Sequence, residues 1–166
     1  MEAILEELTA VMSKEIEAFN ELLATLHEKQ RAIVEGEIEQ LNKSVQDEGK
    51  LARETRALEE ERVERTRALA KKLDIKNLNP RLSEIIQKVE KQYARRLQEQ
   101  RDLLRSLVQK IHNLNQSNQF LLSYSLKFIE KTMEILLNGS DRASMYKKDG
   151  KLGKSLRRKR ILDQSV

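Results

Sequence analysis

A stretch of 56 residues, from Leu82 to Leu137, contains neither glycine nor proline. Apolar residues recur along it mostly three, four or seven positions apart: Leu82, Ile86, Val89, Tyr93, Leu97, Leu104, Leu107, Ile111, Leu114, Leu121, Phe128 and Ile135. This spacing predicts one helix, roughly 80 Å long, that must lie against other helices. Asn79-Pro80 predicts its start and Asn138-Gly139 predicts its end.

Two shorter helices precede it. In the first, apolar residues follow a near-heptad spacing that favours shallow packing angles: Leu5, Leu8, Met12, Ile16, Phe19, Leu23, Leu26 and Ile33. We place the turn at Gly36 rather than at Gly49, because a hairpin needs two segments of similar length. The second helix is less apolar, and Thr55, Arg62 and Thr66 lie on or near its seam, the apolar face that packs against the other helices.

The composition favours long helices over a sheet, since 36% of the residues are charged and only 4% are aromatic. The predicted fold is all-α: an antiparallel three-helix bundle in residues 1–138, with helices at about 3–35, 37–72 and 80–137. The third helix is too long for the other two to cover, so its C-terminal part is expected to project. Residues 139–166 are predicted to form a flexible basic tail.

Charge is concentrated in that tail. Residues 147–166 contain eight basic and two acidic side chains, a net charge of +6. The remaining 146 residues contain 24 basic and 25 acidic side chains, a net charge of −1. The high isoelectric point therefore belongs to the tail, and attachment to nucleic acid or anionic lipid through it is one alternative function.

The residues offer no catalytic constellation. The chain has no cysteine, and its only histidines are His27 and His112. His27-Glu28 begins like a zinc-protease helix, but Arg31 occupies the position of the second ligand. We therefore expect no enzyme activity, cofactor, metal or small-molecule substrate. The sequence also shows neither a secretory signal nor a membrane span, so we expect a cytoplasmic protein.

Between Leu121 and Leu137, apolar residues occupy more than one face of the predicted helix. Such a helix must be buried over a wide arc. It could pack on the start of the first helix, form a homodimer or larger self-associated coiled coil, or offer a groove to an amphipathic helix of another protein. Upstream, Asn115 and Asn118 lie near the seam, where a buried polar pair would fix the register of the helices.

The order of these features resembles the FlgN-type flagellar export chaperones. The resemblance rests on a glutamate-rich first helix, a break near Gly36 and an arginine-rich second helix. Two short motifs follow: Leu114-Asn115-x-x-Asn118-x-x-Leu121-Leu122 and Tyr146-x-x-Asp149-Gly150. The resemblance covers nearly the whole chain, although the basic terminus after Gly150 matches no pattern of the family.

The resemblance implies a small bacterial cytoplasmic helical protein without enzyme activity. Such a protein binds flagellar hook-associated (hook-filament junction) proteins, prevents their premature association and delivers them to the flagellar type III export apparatus. Nucleic acid is then an unlikely partner, and a weak homodimer is possible. The family's C-terminal cargo-binding region corresponds here to residues 121–137 and the tail. The predicted partner-binding residues are Leu121, Leu122, Leu126, Phe128, Ile129, Met133, Leu136, Leu137, Met145, Tyr146, Leu152 and Leu156.

Overall fold

Four helices form the regular structure of the part of the chain that is described. The structure is a computed structural model that describes the backbone of residues 1–77 and 79–144, and side chains as far as residue 137. Its helices are α1 (Glu2–Glu35), α2 (Ile38–Lys72), α3 (Leu82–Ile86) and α4 (Lys91–Ser144). No strand occurs within these ranges. The all-helical prediction is confirmed, while the division into a bundle and a flexible tail stays a prediction.

The turn between α1 and α2 lies at Gly36. This residue has φ 73° and ψ 23°, a left-handed conformation that glycine adopts without steric cost. The backbone N–H groups of Gly36 and Glu37 both donate to the carbonyl of Ala32, which closes the end of α1. Gly49 lies inside α2 instead. The hairpin therefore depends on the conformational freedom of one of these two glycines only.

Replacing each of these glycines with alanine is expected to have opposite effects. Gly36→Ala should lower the free energy of unfolding by about 1 kcal/mol, because its left-handed backbone disfavours a Cβ atom. Gly49→Ala should raise it by about 0.5–1 kcal/mol, because alanine is the better helix former. A Cβ at Gly36 would meet nothing within 4 Å, and one at Gly49 only the Arg53 side chain at 3.8 Å. Urea unfolding followed by circular dichroism measures both changes in the free energy of unfolding. Changes of the same sign would contradict the different backbone conformations assigned to Gly36 and Gly49.

Contacts between side chains give the directions of the helices. Lys29 pairs with Glu48 at 2.7 Å and Arg62 with Glu15 at 2.9 Å, so α2 runs antiparallel to α1. On another side of α1, the Gln100 side-chain amide donates to the Thr9 carbonyl at 3.0 Å. Further along, Gln30 donates to the Ser117 hydroxyl at 3.1 Å. Residue numbers rise together in these last two pairs, so α4 runs parallel to α1.

One cluster of buried apolar residues in the described part of the chain lies towards the start of α1. Leu8, Met12, Leu69, Ile85 and Leu97 are fully buried there. Their cluster thus joins all four helices. Partly buried residues at its edge come from α1, from the segment after α2, from α3 and the residues that follow it, and from the start of α4: Ile4, Ile16, Phe19, Leu73, Ile75, Leu82, Ile86, Val89 and Tyr93.

The prediction of one unbroken helix from Leu82 to Leu137 was wrong at its start. Helix α3 ends at Ile86, and α4 begins only at Lys91. The cause is the register on α1, where Arg96 pairs with Glu6 at 3.3 Å. A straight helix would carry the residues before Lys91 past Met1, where α1 could no longer cover them. The break instead lets Ile85 enter the core with no exposed surface.

The prediction was also wrong at both of its capping signals. Asn79 and Pro80 precede α3, whose N-cap position is Arg81, and they do not begin the long helix. At the other end, α4 continues through Asn138 and Gly139 to Ser144. A glycine inside a helix costs only about 1 kcal/mol relative to alanine, and the helix around it can outweigh that cost.

Candidate partner-binding surface

The C-terminal part of α4 carries large apolar side chains that face solvent. Six of the predicted partner-binding residues are more than half exposed: Leu126, Phe128, Ile129, Met133, Leu136 and Leu137. Leu122 is 38% exposed, and Leu121 is half-buried. The predicted residues Met145, Tyr146, Leu152 and Leu156 lie outside the described residues. Exposure makes this surface available for binding, and the role of each residue stays a prediction.

Seven of the exposed apolar residues fall into two lines along the helix, at about 100° of rotation per residue. The aliphatic line consists of Leu126, Ile129, Met133 and Leu136, and the aromatic line consists of Tyr124, Phe128 and Ile135. The centres of the two lines lie about 140° apart around the helix axis. Ser125 and Thr132 separate them on one side. A charged face separates them on the other: Lys127, Glu130, Lys131 and Glu134.

Three exposed apolar residues were absent from the predicted set. Phe120 is 71% exposed, Tyr124 65% and Ile135 70%. The sequence did contain a signal for two of them, since Phe120, Tyr124 and Phe128 are four residues apart and therefore lie on one side of a helix. The apolar surface of α4 is thus wider than the predicted residues alone indicate.

Upstream of this surface, Asn118 forms a buried polar contact between α4 and α1. It is 1% exposed, and its side-chain amide donates to the Leu26 carbonyl at 2.9 Å. Its Oδ1 atom is buried without a hydrogen-bond partner. Asn115, its predicted companion, is only half-buried. Because an amide donor fits only where it meets that carbonyl, Asn118 fixes the register of α4 on α1.

Glu15, the most buried charged side chain among the described residues, was not among the residues predicted from the sequence. Its side chain is 3% exposed and pairs with Arg62, which is 24% exposed and also lies 3.7 Å from Glu59. Burial raises the pKa of the Glu15 carboxyl above its usual value, and the Arg62 guanidinium opposes that rise by a smaller amount. This ion pair joins α1 and α2.

Histidine and carboxylate side chains are the remaining groups that could bind a metal ion. His27 and His112 are both exposed. Among the described residues, no group of three or more His, Asp or Glu side chains could hold a metal ion. The same residues include no helical stretch with the length and apolar character of a membrane span. The exposed apolar surface of α4 is therefore the feature from which a function can be argued.

Comparison with known proteins identifies the family. The family model described as FlgN protein matches residues 1–154. No curated protein and no solved structure is significantly similar to the chain. The family match covers all four helices and extends beyond the end of α4 to residue 154. The chain therefore belongs to the FlgN family, which is a family of flagellar export chaperones and not of enzymes.

Proposed function

We propose that the protein is a cytoplasmic export chaperone for flagellar hook-associated proteins. It binds them before assembly, prevents their premature association and delivers them to the flagellar type III export apparatus. The observation that carries this proposal is the apolar surface of α4 after residue 120, because soluble monomers rarely expose so many large apolar side chains side by side. Membership of the FlgN family supports it.

The physical basis is the match between two apolar helices. A client segment that has not yet assembled exposes the apolar residues that will later be buried in the filament. Covering one leucine or phenylalanine side chain contributes about 1.5–3 kcal/mol. Association costs about 4–15 kcal/mol in lost freedom of motion, so a client must cover several such residues at once. The continuous apolar lines of α4 provide them along a single helix.

The finer architecture belongs to the same proposal. We infer that α1, α2 and α4 form an antiparallel three-helix bundle in which the apolar end of α4 stays exposed to the client. The directions of the helices support this arrangement. The basic tail contributes Met145, Tyr146, Leu152 and Leu156 to the client contact.

The test is co-purification of client from the native cell. A double variant, Leu122→Asp and Phe128→Asp, should lose most of the hook-associated protein that the unchanged chain retains, because two carboxylates would be buried in the interface. The matched control is Val34→Asp and Ile38→Asp, at residues that are 69% and 68% exposed beside the α1–α2 turn. Circular dichroism first establishes that both variants are helical. Equal retention by all three chains would contradict the proposed site.

The competing function is a structural coiled coil that associates with itself. It requires the surface of residues 121–137 to be buried between copies at all times. Sedimentation equilibrium of the purified chain, with and without a hook-associated protein, distinguishes the two functions. The chaperone should be a monomer or weak dimer that forms a heterocomplex with a negative heat-capacity change. A stable oligomer that does not bind client would contradict the proposal.

A further inference from the structure

We propose that α4 separates from α1 between Ile111 and Leu121 when a client binds, and that Asn118 keeps this part of their interface weak enough to open. The inference rests on the proposed function and adds its regulation, because an opening within the chain completes the client-binding surface. The separation exposes Ile111, Leu114 and Leu121, which are half-buried in the closed chain. It thereby extends the apolar surface of α4 towards the start of that helix.

Burial along the face of α4 that packs on α1 decreases after Leu107. This face follows a spacing of three and four residues: Leu97, Gln100, Leu104, Leu107, Ile111, Leu114, Asn118 and Leu121. Its three leucines up to Leu107 are buried, whereas the three apolar residues after Leu107 are only half-buried. Because apolar stabilisation is proportional to the area removed from water, each turn after Leu107 contributes less than a turn before it.

In this weaker part of the interface, Asn118 occupies a position that a large apolar residue could fill. Its amide donates to the Leu26 carbonyl at 2.9 Å, but its Oδ1 atom is buried without a partner. A buried acceptor left unpaired costs at least as much free energy as a typical hydrogen bond contributes. Separation of the two helices gives Oδ1 access to water and removes that cost. Asn118 therefore fixes the register of the closed interface and also lowers its stability.

The part of the interface around Gln100 is held more firmly. The Gln100 side-chain amide donates to the Thr9 carbonyl at 3.0 Å and to the Ser13 hydroxyl at 2.9 Å. Its Oε1 atom is also buried without a partner, so two hydrogen bonds here offset one that is missing. The leucines on either side of Gln100, four residues apart from it or fewer, belong to the cluster that joins all four helices. We therefore expect the separation to stop before this segment.

Hydrogen exchange of the free chain tests whether Asn118 weakens the interface. A helix without neighbours is only marginally stable in water, so the amides of residues 111–121 exchange through the separated state. In Asn118→Leu they should exchange at least about tenfold more slowly than in the unchanged chain, because an apolar side chain replaces the unpaired oxygen. The matched control is Gln116→Leu, at an exposed position, which should leave the rates unchanged. Equal or faster exchange in Asn118→Leu would contradict the inference.

Crosslinking tests whether client binding requires the separation. The chain contains no cysteine, so a short bismaleimide can join an introduced pair selectively. Gln30→Cys with Ser117→Cys closes the weak part of the interface, since Gln30 Nε2 lies 3.1 Å from Ser117 Oγ. Glu6→Cys with Arg96→Cys is the matched control near Gln100, since Arg96 Nη1 lies 3.3 Å from Glu6 Oε2.

The affinity of each chain for a purified hook-associated protein from the same cell is measured before and after crosslinking. Joining residues 30 and 117 should weaken binding at least about tenfold, because apolar side chains of α4 are withheld from the client. Joining residues 6 and 96 should leave the affinity unchanged. No loss from the first crosslink, or equal losses from both, would contradict the inference, although the chaperone function would stand because the uncrosslinked chain binds client. If the unchanged chain does not bind the client either, the proposed function itself fails.

Discussion

Replacing Arg62 with methionine is expected to lower the free energy of unfolding by about 3 kcal/mol at pH 7, because it leaves the buried Glu15 carboxylate without its partner. Glu15 is 3% exposed in the folded chain, and its oxygen lies 2.9 Å from the Arg62 Nε atom. The matched control is Arg56→Met. Arg56 also pairs with a glutamate, Glu60, but their side chains are 81% and 70% exposed. Losing that pair should cost less than about 0.5 kcal/mol.

The effect should depend on pH in a definite direction. Burial already raises the pKa of folded Glu15 above its unfolded value, so this group contributes most to stability in acid and loses that contribution as pH rises through the folded pKa. Without Arg62 the folded pKa rises further. At pH 4 the carboxyl is protonated in both folded chains, and the difference between variant and unchanged chain should fall below about 1 kcal/mol.

Urea unfolding at pH 7 and pH 4, followed by circular dichroism, measures these differences. A second variant, Glu15→Met combined with Arg62→Met, should recover most of the stability at pH 7, since two apolar side chains replace a buried ion pair at little or no cost. A loss at pH 4 as large as that at pH 7 would contradict the proposed cause. So would a double variant no more stable than Arg62→Met alone.

The Glu15–Arg62 pair also shows what the sequence could not predict. Its members are 47 residues apart, and each lies among many other charged residues of its helix. Helical spacing separates Glu15, which lies seven residues from Leu8 and from Leu22 on the buried face, from the exposed Glu17, but it does not show which residue of α2 stands opposite. That choice depends on the register of the hairpin, which depends in turn on the position of the turn at Gly36.

The break between α3 and α4 escaped prediction for a similar reason. Ile86, Val89 and Tyr93 keep the spacing of an uninterrupted helix, so the local pattern is the same with or without the break. The cause lies in the register of α4 on α1, fixed by contacts between residues about ninety positions apart, such as Arg96 with Glu6. The apolar spacing within each segment predicted helices, but it could not predict where neighbouring helices end.

The sequence also contains a repeat of eleven residues that indicates how α1 and α2 pack. Ser44, Thr55 and Thr66 are eleven residues apart, which is close to three helical turns, and all three are buried. Val11, Leu22 and Ile33 of α1 are buried with the same spacing. A line of small hydroxyl residues on one helix and a line of larger apolar residues on the other indicate close packing. Exposure of the end of α4, in contrast, was expected because the predicted third helix is too long for the other two to cover.

The weak apolar character of α2 leads to the second large expected effect. Its buried residues are Ser44, Thr55, Thr66, Leu69 and Ala70. Leu69 is the only large apolar side chain among them, and it has no exposed surface. Leu69→Ala should therefore lower the free energy of unfolding by about 3–4 kcal/mol, through lost burial and the cavity left behind. Leu103→Ala is the matched control: the same change at a leucine that is 46% exposed should cost less than about 1 kcal/mol.

The loss should also spread to α3, because Leu69 and Ile85 belong to one core cluster. Hydrogen exchange in Leu69→Ala should speed up most at residues 82–86 and at the end of α2, and much less around Asn118, where α4 is held on α1 by its own contact. Urea unfolding gives the overall loss, and exchange measured by mass spectrometry gives its location. The prediction is contradicted if Leu69→Ala lowers the free energy of unfolding no more than Leu103→Ala does, or if exchange rises evenly along the chain. In either case contacts other than those of Leu69 would stabilise α2.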